Sequence, residues 1–212
     1  MSRDYTNTPH NLASVHQVLW SDLGLLHQRW LTFRELFLHS KEQAALLDWA
    51  AMGFFAMLGR LLIDDVLLGI VRLADPEEQR LGDNLVLASV LSALPTGAPS
   101  DLRSRLQKLI ARFEGAAKFA RPVRNKRLAH RDSEVALGRS TELEYGFTWS
   151  QVDACLSVAA EALNAIELFY ENRQTLFLEF IHHKGPDVLV ARLAEAKAAS
   201  DGYFANKLKN PA

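Results

Sequence analysis

Residues 100–132 read SDLRSRLQKLIARFEGAAKFARPVRNKRLAHRD, and this run decides how the rest of the chain is read. Apolar residues recur at Leu102, Leu106, Leu109, Ile110 and Phe113, the spacing of one buried helix face. Ser100 is a candidate cap for that helix. Pro122 is expected to kink or restart it after Ala120, because a proline lacks the donor a helix interior needs. The faces not buried are basic. Residues 102–131 hold ten Lys or Arg against Glu114 alone, a balance of +9, so the rest of the chain, with 14 basic and 24 acidic residues, carries −10. A chain of net charge −1 with one concentrated basic segment fits a local phosphate site better than general coating of nucleic acid.

Helical patterning continues in both directions. Downstream, Thr148-Trp149-Ser150-Gln151 reads as a capping box. It opens a helix through Val152, Cys155, Leu156, Ala159, Leu163, Ile166 and Tyr170. A last helix is expected from Gly185-Pro186, fading by Gly202, with Tyr203 to Lys209 as a solvated tail. Upstream, Asp83 is a candidate cap for a short helix through Leu85, Val86, Leu87, Val90 and Leu91, stopped by Pro95-Thr96-Gly97. Ser40-Lys41-Glu42-Gln43 reads as another capping box. Its helix is expected to run to Ala74, with Leu47, Phe54, Leu58, Leu61, Leu62, Val66, Ile70 and Leu73 facing a core. Gly53 and Gly59 are its expected points of bending, and Asp75-Pro76 ends it. Thr8-Pro9 starts a first helix with a stripe at Val15, Val18, Leu19, Leu26, Trp30, Phe33 and Phe37. Neither sustained alternation of period two nor an Asn-Gly hairpin turn occurs. The expected class is all-α, a helical bundle with additional terminal helices in a single domain over 1–212.

The totals agree. With 212 residues, 49% hydrophobic and 23% charged, the chain can bury a core without staples and is unlike a disordered segment. A lone cysteine, Cys155, permits no internal disulfide and suits a reducing compartment. The polar stretch Met1 to His10 lacks a signal-peptide core. The richest apolar run, Leu61 to Leu73, is interrupted by Asp64, Asp65 and Arg72, so no membrane span is expected. The expected location is the cytoplasm.

Within Arg121–Asp132, Arg124 and His130 have five intervening residues. Spacing alone says little: Arg34 and His39 have four, and Arg3 and His10 have six. Context separates the three pairs. Arg3 and His10 are expected in a frayed terminus. Arg34 is followed by a carboxylate, Glu35, and by Leu36, Phe37 and Leu38, which read as a core-facing helix. Arg124 is followed by Asn125, able to hydrogen-bond a phosphate or ribose oxygen, and lies inside the basic run. Histidine adds the side chain whose ordinary pKa lies near neutrality.

The string R-N-K-R-L-A-H-R-D at 124–132 resembles the signature of HEPN domains: arginine, a polar residue, three to five residues, then histidine. The flanks, Leu67 to Pro76 and the helix from Thr148 to Tyr170, are similar to HEPN domains of AbiU-type abortive-infection proteins, and the likeness covers roughly residues 40–172. The resemblance implies a HEPN-like four-helix bundle that forms a homodimer and brings two Arg/His motifs into one cleft. It also implies a metal-independent endoribonuclease with no cofactor, a toxin or antiviral effector that acts on RNA and has a possible antitoxin protein partner. On that reading Arg124 binds the scissile phosphate, His130 moves a proton during 2′-oxygen attack and Asn125 orients the site. Arg121, Lys126, Arg127 and Arg131 hold neighbouring phosphates. The chemistry is self-consistent. The 2′-hydroxyl is already beside its phosphate, so proton transfer and charge stabilisation are what an enzyme must add.

Two features qualify the resemblance. In HEPN toxins regulated by adenylylation, a tyrosine lies two residues after the histidine. Here that residue is Asp132, which argues against such regulation. In a straight helix six positions turn about 600°, leaving Arg124 and His130 about 120° apart. Either the arginine reaches around, the helix ends between them, or the working pair forms across a dimer. A silent HEPN-like module binding RNA, a nucleotide or a protein is the competing reading, with Arg124 paired to acidic neighbours and His130 at a helix end.

Other chemistries lack support. Arg60 and Asp64 are spaced for helix-face pairing. The adjacent His182 and His183 do not share a helix face, and no metal-ligand spacing accompanies them. No nucleophile elbow or phosphate-cradling glycine loop occurs. The tryptophans Trp20, Trp30, Trp49 and Trp149 sit at packing positions.

Overall fold

A computed structural model describes residues 3–79, 82–123, 146–179 and 185–209. Seven α-helices follow in order among them: α1 (His10–Phe37), α2 (Lys41–Leu73), α3 (Ser89–Ala93), α4 (Ser100–Ala116), α5 (Ala120–Val123), α6 (Trp149–Glu171) and α7 (Pro186–Lys209). A 3-10 turn, Ala117–Phe119, joins α4 to α5. Two-residue strands β1 (Glu78–Gln79) and β2 (Gly82–Asp83) pair antiparallel, Glu78 opposite Asp83. Asp83 therefore belongs to a strand and does not cap α3. That helix starts six residues later, and the Ser89 hydroxyl accepts the Val86 N–H at 3.1 Å just before it.

The described residues form two compact units, one drawn from the described positions within 1–27 and 64–177, the other from those within 28–63 and 178–212. The first unit is a four-helix bundle: the leading part of α1, the end of α2, α4 and α6. Leu12, Leu19, Leu23 and Leu26 of α1 are buried there, as are Val66, Leu67 and Ile70 of α2. All five apolar positions of the α4 stripe are buried, and on α6 so are Val152, Cys155, Leu156, Ala159, Leu163 and Ile166. Phe113 is fully buried, and truncating such a ring to alanine costs about 3–5 kcal/mol. Gly69 lets α2 lie close to α1, because a Cβ there would overlap the Leu26 side chain.

The α1 stripe differs from expectation. Burial falls at Leu12, His16, Leu19, Leu23, Leu26 and Trp30, whereas Val18 is 46% exposed. Two histidines, His16 and His27, complete a face that a search for apolar residues does not see.

In the second unit, Leu36, Leu47 and Phe55 form a core with Phe37, Ala50, Leu58, Val190 and Leu193 packed on it. Trp30 stacks on Phe33 at 5.7 Å between ring centroids. The break in α2 falls at Ala51 (φ −168°, ψ 69°), not at Gly53 or Gly59. One non-helical residue resets the helical phase, so Phe55 turns inward while Phe54 and Leu61, expected in the core, are 53% and 58% exposed. Helix α7 continues through Gly202 to Lys209, past the point where it was expected to fade into a tail.

The caps are partly as read. The Gln151 side chain accepts the Thr148 N–H at 2.7 Å, and the expected capping box forms at the start of α6. At Ser40 the hydroxyl accepts the Gln43 N–H at 3.1 Å, but the Gln43 amide donates to the Glu35 and Leu36 carbonyls at the end of α1. Ser100 is the first residue of α4, with Pro99 in the cap position. The chain departs from straight helix at the 3-10 turn, ahead of Pro122, which lies inside α5.

The segment before α1 is not frayed. Glu171, at the end of α6, accepts the N–H groups of Thr6, Asn7 and Thr8 at 3.2, 3.0 and 2.9 Å and the Thr8 hydroxyl at 2.6 Å. These bonds, the Thr8 hydroxyl foremost, hold its carboxyl down to about 2. One turn earlier, Glu167 is 1% exposed and pairs with Arg3 and, at 3.8 Å, with Arg173. The Thr175 hydroxyl donates to it at 2.8 Å. Arg3 also lies over the Trp20 ring at 4.1 Å and donates to Thr175 Oγ1 at 2.7 Å.

Candidate nucleic-acid interface

The basic face of α4 is arranged by the burial of its opposite side. With Leu102, Leu106, Leu109 and Phe113 turned inward, Arg105, Lys108 and Arg112 are left exposed on one stripe. Arg103 is used structurally: its Nη2 donates to the Pro95 carbonyl at 3.2 Å and ties the preceding loop to the helix. Helix α6 runs antiparallel beside α4, with Arg112 and Glu161 paired at 3.2 Å. Together they form a groove of about 510 Å³ lined by Asp101, Ser104, Arg105, Lys108, Leu109, Arg112 and Glu161. Arg105 also borders a second depression of about 470 Å³, shared with Pro99, Leu102, Ala165, Leu168 and Phe169.

At the other end of the pair, Phe119 and Phe147 have ring centroids 5.1 Å apart, and Trp149 meets Phe147 edge-on at 5.6 Å. Phe119 closes the 3-10 turn before α5 and Trp149 is the first residue of α6. Arg124, Asn125, Lys126, Arg127, His130, Arg131 and Asp132 lie outside the described residues, as do His182 and His183. Arg121 is described. It is exposed, and its Nη2 donates to the Ala74 carbonyl at 2.7 Å. Ala74 is where α2 ends, so a guanidinium there meets the negative end of the helix dipole. The contact fixes α5, which leads directly into Arg124.

Three titratable groups elsewhere could be mistaken for chemistry. His16 is fully buried. Its Nε2 donates to the Leu163 carbonyl at 3.1 Å, and the Tyr5 hydroxyl donates to its Nδ1 at 2.7 Å. His27 is 1% exposed and stacks on Phe177 at 5.3 Å. Burial pushes both imidazoles down to about 4, so both are neutral at physiological pH. Burial likewise pushes the Cys155 thiol up to about 12. None of the three faces solvent. Among the described residues no cluster of three or more His, Cys, Asp or Glu side chains could hold a metal ion. Also among them, no helix is long and apolar enough to cross a membrane.

The sequence exposed the cations of α4 but not the groove, which exists only once α6 lies alongside. Phe169 gave no signal, because an apolar residue on a well-patterned helix reads as core.

The family model for HEPN domains of the AbiU2 type matches residues 12–183, a longer stretch than the 40–172 that carried the resemblance and one that includes most of α1. No curated protein and no solved structure matches the chain. With most of its length covered by one family model, and with the bundle of α1, α2, α4 and α6 in place, the chain belongs to the AbiU2 family of HEPN domains.

Proposed function

We propose that this chain is a metal-independent endoribonuclease of the HEPN type, an abortive-infection or toxin effector acting in the cytoplasm. Its active site would be assembled from the Arg124/His130 motifs of two copies. The observation behind this reading is R-N-K-R-L-A-H at 124–130, directly following the basic α4–α5 arm in a member of the AbiU2 family. Arg124 neutralises the scissile phosphate, Asn125 orients it, and His130 transfers the proton as the 2′-oxygen attacks. Lys126, Arg127 and Arg131 supply the salt-sensitive hold on adjacent phosphates. A homodimer would answer the angular offset that a straight helix gives Arg124 and His130, since the arginine of one copy can serve the histidine of the other. An antitoxin protein is the partner such a toxin requires in its host.

The test is cleavage of total RNA and of a tRNA pool in EDTA, with oligomeric state measured alongside. Wild-type protein is expected to cut, and Arg124→Ala and His130→Ala to lose cleavage while remaining folded and of unchanged assembly. Continued cleavage by either variant, or absence of cleavage by the wild type on every RNA, overturns the reading.

A further inference from the structure

We propose that the α4–α6 groove is a second RNA subsite, holding single-stranded backbone on Arg105, Lys108 and Arg112 and an unpaired base on Phe169. The inference deepens the ribonuclease reading and rests on it for the identity of the ligand. The binding it describes is measured without cleavage.

Three observations converge. The cations stand at i, i+3 and i+7 of one straight helix, so they share a face and advance about 10.5 Å along its axis. That is a line of charge able to meet more than one phosphate of a strand, unlike a cluster that would grip a single small anion. The groove is also open to solvent along α4, from Asp101 to Arg112. Finally, Arg105 is shared with the neighbouring depression, where Phe169 is 50% exposed and Leu168 41% exposed. Large apolar side chains beside a cationic trough are costly in water and useful against a base. Strands are held without sequence preference by this combination of a charged track and an aromatic platform. The base must be unpaired to stack, so the ligand is single-stranded RNA.

The groove also has a brake. Arg112 pairs with Glu161, but at 59% and 47% exposure, so water already competes for the contact and a phosphate can displace the carboxylate. Asp101 lies at the Phe169 end. The track therefore holds RNA by several weak contacts. Its direction is set by the chain: α4 leads through the 3-10 turn and α5 into Arg124, so of the three cations Arg112 is nearest the motif in sequence and Phe169 is at the far end. Eleven positions and the 3-10 turn separate Arg112 from Val123, so the groove serves RNA that extends beyond the cut bond.

The experiment uses the full chain carrying His130→Ala, so that binding is read without turnover. Anisotropy of labelled single-stranded RNA is followed across a salt series for a long and a short oligonucleotide. Arg105→Gln, Lys108→Gln and Arg112→Gln combined are expected to weaken the long RNA about tenfold or more and to flatten the log K against log salt slope by about 2. The short RNA is unaffected. Phe169→Ala costs about tenfold on the long RNA with the slope unchanged, and Phe169→Trp restores binding. Glu161→Gln tightens binding, and the paired Arg→Lys changes at 105 and 112 retain it. All these positions are exposed, and each variant's melting curve is compared with the parent's.

An unchanged affinity and slope in the triple variant overturns the subsite. So does an equal loss on short and long RNA, or an absence of RNA binding in the parent. Failure of the ribonuclease reading is distinct: it appears as no cleavage by wild type, or cleavage surviving Arg124→Ala, while groove-dependent binding persists.

Discussion

Replacing Arg3 with alanine tests whether the segment before α1 is part of the fold. Arg3 reaches 164 positions along the chain to Glu167, which is 1% exposed, and its removal leaves that carboxylate with Arg173 at 3.8 Å and the Thr175 hydroxyl at 2.8 Å. Removing one partner of a buried ion pair costs about 3–5 kcal/mol, because the remaining charge stays desolvated. Arg173 keeps part of the neutralisation, so about 2–3 kcal/mol is expected for Arg3→Ala, including the stacking on Trp20 that goes with it. Glu167→Ala should cost more, since it leaves two guanidinium groups facing each other. The double variant should be less damaged than the sum of the two, with a coupling of about 1 kcal/mol or more. Urea unfolding at pH 7.5 reads all four proteins, with unchanged m-values marking a change in stability alone. A loss below about 0.5 kcal/mol for Arg3→Ala, or strict additivity with Glu167→Ala, would refute the clasp and return the segment to a frayed end.

Three further outcomes follow from the buried groups and the caps. His16 and His27 have folded pKa values depressed to about 4 against an ordinary 6.5, so the unfolded chain binds protons first as pH falls. Stability should be level above pH 6.5 and drop progressively towards pH 4, by roughly 2 kcal/mol per histidine at pH 5; a urea midpoint that stays level between pH 7.5 and 5 contradicts this. Gln151→Ala removes the acceptor for the Thr148 N–H and should cost about 1 kcal/mol in thermal denaturation, with Gln151→Glu close to wild type. Cys155, buried and with its thiol pushed up to about 12, should resist a thiol reagent in the native protein and react on unfolding; labelling of the native protein at the rate of a free thiol would exclude that environment.

Helices α4 and α6 were legible because each shows an uninterrupted 3.6-residue period, and at α6 Thr148 and Gln151 also mark the start. Helix α2 was legible in extent but not in facing, since an alanine has no sequence signature for leaving helical geometry and one such residue moved Phe54 and Leu61 outside. On α1, buried histidines replaced two apolar residues in the stripe, which shifted the expected face towards Val18. The clasp of Arg3, Glu167, Arg173 and Thr175 could not be read at all. It depends on polar residues far apart in sequence whose charges look like surface charges until α6 is placed beside the first residues. The motif was legible as composition and order, whereas its geometry is a matter of three-dimensional placement that the spacing from Arg124 to His130 does not determine. The groove was half legible, as the cations of α4 without the aromatic residue of α6.

Arg121 separates two ways in which a basic residue can serve such a site. The sequence assigned it to RNA phosphate, while the structure shows it donating to the Ala74 carbonyl at 2.7 Å. Helix α5 follows the 3-10 turn directly, so where it starts is set by that turn and by tethers of this kind. If tethering is the main role, Arg121→Gln, which keeps a donor for the carbonyl but no charge, should cleave RNA nearly as well as wild type. Arg121→Ala should lower kcat several-fold, with KM and the salt slope little changed, because a loosened α5 misplaces Arg124 and not the bulk of the substrate. A phosphate role predicts the opposite split: both substitutions raise KM and reduce the salt slope by about 0.7, the change expected when one fewer phosphate of a single strand is neutralised. Equal damage from Gln and Ala with a reduced slope would therefore reject the tether and place Arg121 among the residues that hold the strand.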